Sequence, residues 1–282
     1  MAKTAKPKTA AKKAPAAKPA PAKSGEPQPK LQMPAMGRKI GEPWVDLPDG
    51  KALANWGRDE EIAYNQTNRQ TEKALFYRRT FDFLTDNRVA GDYHEYGCHR
   101  CRTFRMALTE ARLHNLQTMK FFAFDSFEGL PEPTSTTSVE IWKRGALTTT
   151  EGNFMKMVRE HGHYADRVTT IKGFYDESLT PALRQKFLDT ENKVALVNVD
   201  CDLYESAVPV FKFLDPLMQE GTVIYIDDLF AGHTGSPNKG VARAFLEYQK
   251  KTRWRFVRHL DIGWWGRSYI VYLEKSGPDG VL

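Results

Sequence analysis

The chain has 282 residues, enough for one large domain, and carries a formal net charge of +6 that is unevenly spread. Eight lysines against the single acid Glu26 give residues 1–30 a charge of +7, so the remainder is close to neutral at −1 and the basic excess belongs to the tail. Three cysteines supply no disulfide framework, and neither a secretory apolar core nor a run of ~20 apolar residues is present, which points to a soluble, cytoplasmic protein.

Residues 1–40 are rich in Ala, Lys and Pro and offer almost nothing to bury, so they are expected to be a disordered basic tail. Such a tail suits weak contact with nucleic acid or an anionic surface through counterion release, or serves as a plain solvated extension. Residues 41–66 read as a linker and N-terminal extension punctuated by Pro43, Pro48 and Gly50, with the globular domain over 67–276. Helix formers run from about Glu60 to Leu84, where Leu75, Phe76, Phe81 and Leu84 fall near one helical face.

Beyond this helix the pattern alternates as a parallel sheet with crossover helices requires. Strands are expected at Gly91–Tyr96, Lys120–Phe124, Val168–Lys172, Val194–Val199 and Thr222–Ile226. Helices are expected at Thr103–His114, Asn153–His161, Thr180–Leu188, Ala207–Gln219 and Val241–Lys251. Trp254–His259 and Arg267–Leu273 stand too close together for a helical crossover and should pair antiparallel. The expected fold is therefore α/β and Rossmann-like, a mostly parallel seven-stranded sheet with a C-terminal antiparallel hairpin, as in class I methyltransferases.

Glu95-x-Gly97 closes the first strand, where the ligand crevice of an open α/β sheet lies and where a glycine permits close backbone approach; both are placed to hold a cofactor's amino-acid end. The later glycine usual in such loops is replaced by Arg100, Cys101 and Arg102. Asp125, followed by Ser126, ends the second strand as an acceptor for ribose hydroxyls, and Gly173 and Phe174 end the third at adenine depth. Asp200 and Asp202 follow the fourth strand and Asp227 and Asp228 the fifth. Carboxylates converging at adjacent strand ends repel one another unless a cation joins them, and hard oxygen donors favour Mg²⁺, with Asp200, Asp227 and Asp228 as ligands. Asp200 also belongs with the cofactor-binding set. His233 could swing over the site as a base matched to neutral pH, His99 stands beside the cofactor loop, Trp264 and Trp265 could stack on an acceptor or pack the core, and residues 132–152 are expected to form a lid. Cys98 and Cys101 lack the second ligand pair of a structural zinc site.

Three segments, Asp125-Ser-Phe-Glu-Gly-Leu-Pro131, Val197-Asn-Val-Asp-Cys-Asp-Leu-Tyr-Glu-Ser206 and Tyr225-Ile-Asp-Asp228, resemble the macrocin, mycinamicin and novobiocin-type O-methyltransferases, the TylF-like family, over roughly residues 70–273. The resemblance implies S-adenosylmethionine (SAM) as methyl donor, Mg²⁺ on the aspartates, a hydroxyl of a sugar or other small acceptor as substrate, and Asp202 as general base, with His233 the alternative. Two other readings stay open, a nucleic-acid methyltransferase and a nucleic-acid-binding protein with an inactive methyltransferase-like domain. The first expects an Asn/Asp-Pro-Pro-aromatic run where this chain has Asp200-Cys-Asp-Leu203, and the second has no need of mutually repelling acids. The oligomeric state is left open, a homo-oligomer included.

Overall fold

A computed structural model of the chain describes residues 50–133, 142–190 and 193–274, so the expected tail and most of the expected linker lie outside the described residues. The chain divides into a unit 1–56, of which one helical turn is described (α1, Gly50–Leu53), and a unit that begins at Gly57. The second unit opens with the long helix α2 (Arg58–Asp86), two residues earlier than the helix-former pattern and nine earlier than the expected domain start. Glu60 reaches back to the Gly57 backbone N–H at 3.0 Å, and Asp59, Glu60 and Glu61 place negative charge on the first turn, which the helix dipole favours.

The remaining elements follow in order: β1 (Asp92–Tyr96), α3 (Arg102–Leu113), β2 (Phe121–Asp125), α4 (Glu151–His161), β3 (Val168–Lys172), the short α5 (Tyr175–Ser178), α6 (Pro181–Asp189), β4 (Val194–Val199), α7 (Tyr204–Leu214), β5 (Met218–Ile226), α8 (Gly240–Gln249), β6 (Trp254–Ile262) and β7 (Gly266–Leu273). They form one seven-stranded sheet in the order β3-β2-β1-β4-β5-β7-β6. β3, β2, β1, β4 and β5 run parallel, while β7 pairs antiparallel with both β5 and β6. Strand order reverses between β1 and β4, and the crevice opens beyond their carboxyl ends.

Strand alternation sends Tyr93, Phe121, Ala123, Val223 and Tyr225 to one face, under α2, α3 and α4, and Tyr96, Phe124, Val197, Ile224 and Ile226 to the other, under α7 and α8. β4 is buried along its whole length, as a central parallel strand covered on both faces must be. The stripe of α2 that meets the sheet is Lys73, Phe76, Tyr77, Thr80, Phe81 and Leu84; Leu75, expected on it, is 36% exposed.

The segment after β4 departs most from expectation. The helix expected through Gln219 stops at Leu214, with Asp215 still helical in backbone, because Pro216 has no N–H to carry the ladder on, and β5 then starts at Met218 rather than Thr222. A register shift between the Val194–Met218 and Leu196–Val223 pairs absorbs the extra residues. No helix among the described residues is long and apolar enough to cross a membrane.

Candidate active site

The ends of β1, β2 and β3 build one half of a cavity of about 650 Å³, within the range of small-molecule sites. Gly97 follows β1 with φ +92°, and a Cβ there would stand 1.7 Å from the Asp200 carbonyl oxygen, so only glycine lets the ends of β1 and β4 pack this closely. Asp125 is held by two backbone donors, the Cys98 N–H on Oδ2 and the Phe127 N–H on Oδ1, each at 2.7 Å. Burial raises its pKa, against the pull of those two bonds. Ser126, Gly173 and Phe174 complete this half of the lining.

Glu95, expected to hold the cofactor directly, stands behind the lining. Strand alternation turns its side chain under α3, where it is fully buried, accepts a hydrogen bond from Tyr93 Oη and another from Thr103 Oγ1 at 2.7 Å. Burial pushes its carboxyl up to about 7 despite those donors. Thr103, at the start of α3, does line the cavity, so Glu95 reaches it through Thr103.

The loop that lacks its second glycine keeps a glycine-like path. Arg100 and Cys101 both adopt left-handed backbone, with φ +57° and +55°, at a cost of roughly 1–2 kcal/mol per non-glycine residue. Cys101 and Cys98 are free and buried, and burial pushes the Cys101 thiol up to about 12, which leaves both inert as nucleophiles and metal ligands. His99 lines the cavity with Nδ1 3.1 Å from Thr149 Oγ1.

The second half of the cavity is acidic. Asp200 and Asp202 follow β4 and Asp227 and Asp228 follow β5; one oxygen from each of Asp200, Asp227 and Asp228 lies within 4.8 Å of the others. Asp202 and Asp228 are held in left-handed backbone, φ +59° and +53°, which Asp tolerates better than most residues and which accompanies functional turns.

Lys73, on the buried stripe of α2, was not anticipated. Its Nζ donates to Asp227 Oδ2 at 2.7 Å and to Asp200 Oδ2 at 3.0 Å. Burial acts to lower its pKa, but Asp200 and Asp227 hold it well above the ordinary value. Asp227 is also fully engaged: burial would raise it, yet Lys73 and a hydrogen bond from Tyr225 Oη to Oδ1 keep it low. Burial and Asp227 push Asp200 up, and burial with the neighbouring acids does the same to Asp228. Asp202 is pushed up to about 7 by burial and by Asp200, offset by a hydrogen bond shared with Asp228.

Gln66, Arg69 and Gln70 extend the Lys73 face of α2 along the cavity, and Trp142 and Trp264 add aromatic surface. The two adjacent tryptophans divide: Trp264 is 62% exposed at the cavity, with the Arg69 guanidinium 5.6 Å from its ring, whereas Trp265 is core. His233 does not line the cavity and lies 6.3 Å, ring to ring, from Trp142, which does. Of the expected lid, 134–141 lie outside the described residues; Gly129 is locked against the returning strand of chain, where a Cβ would meet the Ala146 carbonyl oxygen at 2.5 Å.

Lys73 could have been read from the sequence as a lone cation in register with Phe76, Tyr77, Thr80 and Leu84, since residues three and four apart share a helix face.

No curated protein matches the chain. Among solved structures it is similar to the O-methyltransferase NovP, at 20% identity and a TM-score of 0.57 over 71% of this chain and 79% of that one. It is also similar to CalS11, calicheamicin methyltransferase, at 16% identity and a TM-score of 0.60 over 80% of this chain and 98% of that one. These likenesses establish the shared fold. The profile of the macrocin-O-methyltransferase (TylF) family matches residues 57–255, and the chain thus belongs to that family of SAM-dependent O-methyltransferases.

Proposed function

We propose that this enzyme methylates a hydroxyl on a sugar-bearing small acceptor, with SAM held at the ends of β1–β3, Mg²⁺ held by Asp200, Asp227 and Asp228, and Asp202 taking the proton. The observation that carries this reading is a single cavity lined both by Gly97, Asp125, Ser126, Gly173 and Phe174 and by the four aspartates. In it, a cofactor and an acceptor can stand side by side.

SAM brings an already activated methyl group, so the chain's own contribution is binding, orientation and a base. Asp125, fixed by two backbone N–H groups, keeps lone pairs for the ribose hydroxyls, and Phe174 offers a face for adenine. Glu95 steadies the β1–α3 corner through Thr103. The all-oxygen donor set suits a hard divalent cation, which when bound would lower the pKa of a coordinated hydroxyl. Asp202 is favoured over His233 as the base because it lines the cavity and His233 does not. A carboxylate raised toward neutrality is also a stronger base than an ordinary one.

A sugar acceptor is supported by CalS11, described as a TDP-rhamnose 3′-O-methyltransferase in a structure similar at 14% identity and a TM-score of 0.50. The exposed face of Trp264 beside Arg69 is a surface on which a sugar ring and an anionic group can rest. The test is incubation with methyl-labelled SAM and a panel of nucleoside diphosphate hexoses and glycosylated small molecules, with products located by NMR. An O-methylated sugar whose formation stops in EDTA and resumes with Mg²⁺ is expected. Turnover unaffected by chelator would refute the metal assignment, and label appearing only on nucleic acid would refute the acceptor.

A further inference from the structure

We infer that Lys73 is a tethered counter-cation that competes with the divalent metal for Asp200 and Asp227, and that its ammonium must swing away when the metal enters. This rests on the metal reading above and adds a second occupant to the same oxygens. Nζ lies 2.7 Å from Asp227 Oδ2 and 3.0 Å from Asp200 Oδ2. A divalent ion bonded to those same two oxygens at ~2.1 Å would stand within a few ångströms of the ammonium, where the Lys73 and Asp227 side chains are buried and like charges are weakly screened. Metal and ammonium therefore exclude one another at this position.

The route of displacement is visible on α2. Asp227 is anchored in its orientation by the bond from Tyr225 Oη to Oδ1, so the lysine, on a long flexible stem, is the member of the cluster that moves. One turn back on the same face, Gln70 lines the cavity with its Oε1 buried and without a hydrogen-bond partner in the protein. Residues three apart on a helix are neighbours, and this acceptor receives the displaced ammonium. Lys73 thus holds the acidic pocket together before the metal arrives and sets how tightly the metal binds afterwards.

The competition is read by metal affinity, independently of turnover. Mn²⁺ binding is measured by calorimetry or electron paramagnetic resonance on the full chain and on Lys73→Met, whose neutral side chain has a similar length. The variant is expected to bind Mn²⁺ at least tenfold more tightly than the wild type. A second readout needs no variant: acetylation of Lys73 in the wild-type protein, followed at its peptide by mass spectrometry, should be slow without metal and at least fivefold faster in saturating Mg²⁺. Equal or weaker Mn²⁺ binding by Lys73→Met, or a Lys73 that stays protected with Mg²⁺ bound, would overturn the inference while leaving the metal site intact. Failure of both proteins to bind Mn²⁺ would overturn both readings together.

Discussion

Asp125 ends β2 with both oxygens taken by backbone N–H groups at 2.7 Å, whereas Asp200 and Asp227 end β4 and β5 facing one another across the Lys73 ammonium. The first arrangement places one charge among fixed dipoles, needs no counter-ion, and leaves a rigid acceptor of set direction. The second gathers four carboxylates that repel, and it stays together only by enlisting a lysine and hydrogen bonds within the cluster. On the proposed reading, one half of the cavity holds the neutral nucleoside of the cofactor without moving, and the other exchanges cations. The two halves should respond to substitution in different ways.

The largest effect is expected on the acidic half. Asp202→Asn keeps the shape and removes the proposed base, so kcat should fall about 10²- to 10⁴-fold with the SAM dissociation constant unchanged, as read by steady-state kinetics beside calorimetry. Near-wild-type turnover would move the proton to another acceptor, His233 being the first to test.

A smaller effect should come from β1, outside both halves. His94 is fully buried among Phe122, Phe124 and Phe187, with its Nε2 meeting no partner in the protein. Burial lowers its pKa to about 3. The unfolded chain binds a proton here below ~6.5 and the folded chain does not, so the fold loses stability as the pH drops from 6.5 toward 3. His94→Phe removes that loss. Urea unfolding should show the variant's advantage growing by about 2 kcal/mol between pH 7.5 and pH 5, and a constant difference would mean that His94 takes up its proton in the fold as readily as in the unfolded chain.

The smallest effect is expected in the cofactor loop. Arg100 is exposed and left-handed, and Arg100→Gly should stabilise the fold by under ~1 kcal/mol, the relief of strain being partly offset by the greater freedom of glycine in the unfolded chain. Destabilisation would show that the Arg100 side chain holds the loop through a contact stronger than the strain.

Much of this contrast could be read in the sequence, because β3 and β4 and the four acids that follow β4 and β5 are local patterns: a β-branched run at the sheet edge, a buried valine-rich run at its centre, then acids at strand ends. What could not be read depends on pairing between distant elements. Lys73 meets Asp227 across 154 positions, and only the packing of α2 on the sheet brings them together. Glu95 looks like a cofactor ligand in its motif, yet strand alternation and the start of α3 turn it inward to Thr103. The end of α7 carries a local signal in Pro216, which has no N–H for the ladder, although the helix formers around it read as a helix running on to Gln219.

The most direct test is calorimetric titration of the full chain with SAM, with and without Mg²⁺, beside Asp125→Ala. The account predicts that the wild type binds in both conditions, because the nucleoside half needs no cation, and that Asp125→Ala weakens binding at least tenfold, the scale of losing hydrogen bonds to a charged acceptor. Equal binding by wild type and Asp125→Ala would contradict it, and would mean that SAM sits elsewhere in the cavity than at the ends of β1–β3.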